Sequence, residues 1–184
     1  MKRFAAFALA ATLPVILAAC AAPGGGGPGT VTTLTAADAS TALITGERIE
    51  MVERASASGE GQDPLVTMTL KHADGRELAF QQANHTPNDV MAQAPGGPLA
   101  NIMGLFGEEA PVLYSATTAD NSGAPFICGP EGPAALGIHQ NADGTAQVVG
   151  LKQAIQFETR PDGVTEALPY SPDMVCARLS FRRN

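Results

Sequence analysis

Apolar and polar residues alternate along much of the chain. Val66, Met68 and Leu70 fall on one face, and Thr67, Thr69 and Lys71 fall on the other. A period of two is the signature of a half-buried strand, whose successive side chains point to opposite sides of a sheet. After Ala73-Asp74-Gly75-Arg76 the apolar face resumes at Leu78 and Phe80. This predicts a hairpin turned at Asp-Gly, a dipeptide that tolerates the positive φ of two-residue turns. The same punctuation returns at Asp143-Gly144, between residues 134–139 and 145–151, and at Asp162-Gly163, between 155–159 and 164–168. Further strands are expected over 44–54, 112–117 and 175–181, for roughly eight to ten in all. The pattern predicts an all-β or β-dominated fold, a curved antiparallel meander closing as a barrel or sandwich.

One segment has a different period. Leu99, Ile102, Met103 and Phe106 stand at i, i+3, i+4 and i+7 within 95–109, the spacing of one face of a helix. Pro98 suits its first turn and Gly107 its end, while Gly104 weakens it by about 1 kcal/mol. The expectation is one short helix across an opening of the sheet, with those four residues buried and Leu105 off the buried face. Because 98–107 carries no charge, a second reading stays open: Leu99, Ile102, Met103, Leu105 and Phe106 as an exposed apolar lip that meets lipid, a ligand or a partner. Residues 84–97 read as a loop with one helical turn at 88–93. Residues 125–133 hold too many prolines for a central strand and read as a rigid corner.

The first twenty residues stand apart. Met1-Lys2-Arg3 is followed by an uncharged, mostly apolar run from Phe4 to Ala19, interrupted by Pro14, and then by Leu17-Ala18-Ala19-Cys20. The run is short for a membrane-spanning helix and suits a secretory signal. These residues resemble the signal peptide and lipobox of bacterial lipoproteins. The resemblance covers residues 1–20 only, and no family is recognised for the rest. It implies that 1–19 are removed and that Cys20 becomes a lipid-modified N-terminus carrying diacylglycerol and palmitate-type acyl chains. The protein would then be tethered to a membrane rather than spanning it. Ala21 in place of Asp favours the outer membrane, on its periplasmic side. Residues 20–30, rich in Gly and Pro, read as the lipidated cysteine and a flexible tether spanning roughly 15–20 Å. Residues 31–184 read as a single β-rich domain.

Charge sharpens this picture. The 184 residues carry a formal charge of −7, and loss of Lys2 and Arg3 with the signal makes it more negative. A chain of that sign lacks the clustered Lys and Arg that phosphate backbones require, which excludes nucleic acid as a partner. With Cys20 acylated, Cys128 and Cys176 are the remaining thiols in an exported, oxidising setting, so they are expected to form a disulfide.

Candidate chemistry is sparse. His72, His85 and His139 show no pairwise spacing suited to a metal. His72 and His139 are expected at wet strand ends, and His85 lies in a polar loop that makes it the first to test. Glu108 and Glu109 are adjacent, so on a helix they diverge by about 100° and read as solvated charges. Gly-x-Ser-x-Gly, Ser-x-x-Lys and His-Glu-x-x-His patterns do not occur. No catalytic residues, cofactor or metal are expected. The expectation is a lipid-anchored envelope protein that acts as a non-enzymatic binding or structural module with an envelope protein partner. A carrier of a lipid or other small apolar ligand in a barrel mouth is the alternative, with a hydrolase third.

Overall fold

Eight strands of this chain close on themselves as a barrel. A computed structural model describes residues 29–56, 63–88, 90–92, 97–106, 109–117, 120–159, 161, 165–167 and 170–184. In chain order the elements are β1 (Thr30–Ala36), α1 (Ala39–Thr45), β2 (Arg48–Ser56), β3 (Leu65–His72), β4 (Glu77–Gln82), β5 (Met91–Ala92) and β6 (Gly97–Pro98). They continue with α2 (Leu99–Met103), β7 (Val112–Ala116), β8 (Ala135–Gln140), β9 (Thr145–Leu151), β10 (Phe157–Thr159), β11 (Thr165–Ala167), a 3-10 turn at Pro172–Met174, and β12 (Val175–Arg183). Around the barrel the order is β1-β2-β3-β4-β7-β8-β9-β12, with β12 returning to β1. Every neighbouring pair is antiparallel. The expected meander is therefore present, and it closes as a barrel rather than a sandwich.

The period-two pattern sorts side chains between lumen and outside. Leu34, Ile49, Met51, Met68, Leu70, Leu78, Phe80, Leu136, Val148 and Phe181 fill the lumen as one apolar cluster. An eight-stranded barrel is just wide enough for side chains to fill or for one small ligand to occupy, and here side chains occupy it. On the outside, the row Thr33, Glu50, Lys71, Glu77 is polar, and Lys71 pairs with Glu77 at 2.5 Å.

The Asp74-Gly75 and Asp143-Gly144 hairpins stand as read, with Gly75 at φ 91° and Gly144 at φ 85°. The third pair of strands also forms, as β10 against β11, but outside the barrel. It belongs to a second sheet ordered β10-β11-β5-β6, in which β11 and β5 run parallel. Its turn, Asp162-Gly163, lies outside the described residues. The helical turn expected at 88–93 is replaced at Met91–Ala92 by β5, which pairs with β6 and β11.

Two readings need correction at the start of the barrel. The strand expected over 44–54 divides into the end of α1 and β2, and a further strand, β1, begins at Thr30, the last residue of the expected tether. Helix α1 starts where the Asp38 carboxylate accepts from the Thr41 amide at 2.7 Å, and it stops at Gly46, φ 73°. It buries Thr41 and Thr45 and leaves Leu43 88% exposed.

Helix α2 also departs from expectation. It ends at Met103 because Gly104 takes the left-handed conformation, φ 68°, and returns its amide to the carbonyls of Ala100 and Asn101. The reversal turns Leu105 inward, at 2% exposure, and Phe106 outward, at 65%. The helix lies across no opening. With Val90, Leu105 and Tyr170, it packs on the outer wall of β8 and β9 against Ala135, Val149 and Leu151. Gly137 makes this approach possible, since a Cβ there would strike the Met103 side chain and stand 2.7 Å from Leu105 Cδ1. Arg178 of β12 fastens the helix end by donating to the carbonyls of Met103 and Ile102.

Candidate functional site at the plugged end of the barrel

One end of the barrel gathers the 73–76 turn, α1, the β7–β8 connection and the segment leading into β12. The β7–β8 connection supplies a plug: Phe126 and Ile127 are buried in the luminal cluster. Beside them Cys128 is bonded to Cys176, with Cα atoms 5.1 Å apart, inside the range that disulfides span. The bridge lies against Gly150 of β9, where a Cβ would come within 2.6 Å of Cys128 Sγ. Gly150 therefore makes room for the sulfurs. The rigid corner read from the prolines is pinned by this disulfide, as expected.

The plug is capped by charge. Asp74 Oδ2 accepts from Arg76 Nε at 2.7 Å, its Oδ1 accepts from the Arg76 amide at 3.1 Å, and His72 Nδ1 lies 2.8 Å from Oδ1. Desolvation raises the Asp74 carboxyl, but the Arg76 amide, the His72 ring and the Arg76 guanidinium together outweigh it and hold the group at about 2. Above Phe126, the His72 ring centroid stands at 5.1 Å and the Arg76 guanidinium carbon at 5.4 Å. The guanidinium thus meets the π face of a buried ring while its other side is neutralised. Next to this group an open cleft of about 300 Å³ is lined by Arg48, Glu50, Lys71, His72 and Glu77. It carries both signs of charge, and Lys71 and Glu77 satisfy one another.

Elsewhere in the lumen, Tyr114 donates to Glu53 Oε1 at 2.6 Å. Burial first, and then the hydrogen bond and charge of Glu53, raise the Tyr114 phenol. Tyr170, under α2, is pushed up to about 12 by burial. Arg183 donates to Gln140 Oε1 at 2.7 Å and to the Asn141 carbonyl at 2.8 Å.

The remaining sequence candidates are dispersed. His72 joins the plug. His85 is exposed, with its ring 5.2 Å from that of Phe157. His139 is not at a wet strand end: it is fully buried, with Nε2 2.8 Å from the Glu109 carbonyl, because the chain returning to β7 passes over the outer face of β8. Its Nδ1 has no hydrogen-bond partner among the described residues. Of the five lip residues, Leu99, Met103 and Leu105 are buried, Ile102 is half-buried and Phe106 alone is exposed. They do not form one exposed surface. Glu109 is exposed, while Cys20, Gly107 and Glu108 lie outside the described residues. No group of three or more His, Cys, Asp or Glu among the described residues is placed to hold a metal.

The sequence reading missed Arg76, Phe126, Glu53 and Tyr114 as partners. Phe126 carried the one usable signal, an aromatic residue two positions before a cysteine in a stretch unfit for a strand. Comparison with known proteins found no matching family model, no matching curated protein and no matching solved structure.

Proposed function

We propose that this protein is a lipoprotein of the bacterial cell envelope, acylated at Cys20 and held at the outer membrane, where it acts as a non-enzymatic binding or structural module. The observation that carries this reading is Leu17-Ala18-Ala19-Cys20 at the end of an uncharged apolar run. The fold agrees with tethering. A barrel with an apolar interior and charged outer rows has the reverse of the sidedness that a lipid-spanning barrel needs. No helix among the described residues is long and apolar enough to cross a membrane. Metabolic labelling with a fatty acid tests the anchor: the natural chain takes up label, and Cys20→Ser takes up none. Label retained by Cys20→Ser overturns it.

A second reading, a carrier of a small apolar ligand, is favoured by the plug itself. Phe126 and Ile127 close the lumen from a connection rather than from a strand. Native mass spectrometry of protein released from membranes separates the two readings. A bound apolar molecule besides the anchor supports the carrier, and its absence supports the module.

A further inference from the structure

We propose that the Cys128–Cys176 disulfide is a redox latch that holds the Phe126–Ile127 plug in the barrel, so that reduction opens this end of the lumen to apolar ligands. The proposal extends the carrier reading and stands apart from the anchor.

The first ground is how the plug is attached. Among the described residues, 123–131 make no hydrogen bond to a barrel strand. The backbone bonds flanking the segment belong to Ser122, which exchanges two with Glu77, and to Ala134, which donates to Leu151 and accepts from Ala116. Between these points lies one internal bond, from the Gly132 amide to the Gly129 carbonyl. What holds the segment to the barrel is therefore the burial of two side chains, the contacts of Phe126 with His72 and Arg76, and one covalent bond. A segment held this way opens with few hydrogen bonds to break.

The second ground is the backbone. Gly123 and Gly132, at the two ends of the segment, and Gly129, next to Cys128, all have positive φ, 76°, 73° and 75°. Such positions rotate at little steric cost and suit hinges. Cys128, at φ 64°, is the one non-glycine residue among those described to sit in the left-handed region, a conformation that persists where the surroundings enforce it.

The third ground is access and consequence. Both cysteines are half-buried, and Gly129, Pro130 and Glu131 beside them are exposed. The sulfurs themselves pack against Gly150, and Cys128 against the luminal cluster, so a dithiol reductant reaches them from the side of this exposed corner. Its thiolate attacks one of them, the Cys128–Cys176 bond breaks and a mixed disulfide forms. The reductant's second thiol then resolves it. Two electrons and two protons end on Cys128 and Cys176, and the reductant leaves as a disulfide. Behind the freed segment stand the packed luminal side chains Met68, Leu70, Phe80 and Phe181, so the room offered to an apolar ligand is the room that Phe126 and Ile127 vacate.

The test uses the full chain with Cys20→Ser, whose only thiols are then Cys128 and Cys176. Oxidised protein is compared with protein reduced by dithiothreitol and with a Cys128→Ser, Cys176→Ser form. The readouts are far-ultraviolet circular dichroism, amide hydrogen exchange and binding of anilinonaphthalene sulfonate. A latch predicts an unchanged dichroism spectrum and unchanged amide exchange in the barrel strands. It also predicts dye binding that appears on reduction and disappears on reoxidation. Dye binding that stays absent after reduction overturns the proposal, because the plug then stays seated without its bond. Loss of the barrel spectrum, or faster exchange throughout the strands, overturns it as well, because the bond is then a staple of the whole fold.

Discussion

Asp74 concentrates three contacts in a single turn, and its protonation has a calculable direction. A carboxyl held at about 2 binds its proton less readily in the folded chain than in the unfolded one, where it titrates near the ordinary value of about 3.9. It therefore contributes stability that is fully present above the unfolded value and is lost as pH falls through the folded one. The hydroxyl of Ser40 lowers Asp38 and that of Thr145 lowers Asp143, with the same sign. We expect the melting temperature of the natural chain to drop between about pH 4.5 and 2, and Asp74→Asn to drop less over the same interval. Equal slopes, read by calorimetry, would count against the Asp74 contacts. The turn itself was legible, since Asp-Gly between two alternating runs has few other uses. Its partners were not: Phe126 stands fifty positions away in the sequence, and only barrel closure brings the ring under Arg76.

At the scale of elements, legibility followed how consistently a segment kept its period. The strands β3 and β12 alternate cleanly, β4, β8 and β9 carry apolar runs bounded by Asp-Gly turns, and all five fall where the pattern puts them. Helix α1 does not advertise itself, because it buries two threonines and turns a leucine outward, the reverse of what an apolar stripe signals. Helix α2 misled in another way. Its four apolar residues had helical spacing, but Gly104 took the left-handed cap that other residues resist, and everything after it changed face. Two adjacent substitutions separate the periodic reading from the observed one. Leu105→Ala removes a buried side chain packed near Gly137 and should cost about 2–5 kcal/mol. Phe106→Ala removes an exposed ring and should stay within about 0.5 kcal/mol. Urea denaturation of both variants checks the pair, and a Phe106→Ala loss as large as that of Leu105→Ala would restore the continuous helix.

For the whole molecule, stability turns on where the first and last strands meet. β1 pairs with β2 from Thr30↔Glu53 to Thr35↔Arg48, whereas it meets β12 only at Leu34↔Arg183, Thr35↔Arg182 and Ala36↔Phe181. The seam is the shorter ladder, and no turn joins its two strands, so closing it carries the entropy of ordering the whole intervening chain. The sequence could not show this, because a barrel and an open sandwich share the same alternation and differ only in whether their ends pair. Helix α1 reinforces the seam. The Ala37 amide donates to the Ser180 carbonyl, and the Ser180 amide donates to Thr41 Oγ1 at 3.0 Å. Thr41 is fully buried, and its hydroxyl is the partner that the Ser180 amide has at this edge. A buried threonine facing a strand is thus a structural requirement rather than a misplaced polar residue. Thr41→Val keeps the shape, removes the acceptor and leaves the amide unpaired, which should cost about 1–3 kcal/mol. Thr41→Ser returns the acceptor and should recover most of that loss. If the seam is what Thr41 protects, Thr41→Val should speed amide exchange at Ser180 and along β1 more than in β3 or β8. Uniform acceleration around the barrel would mean that the helix stabilises the fold without guarding its closure.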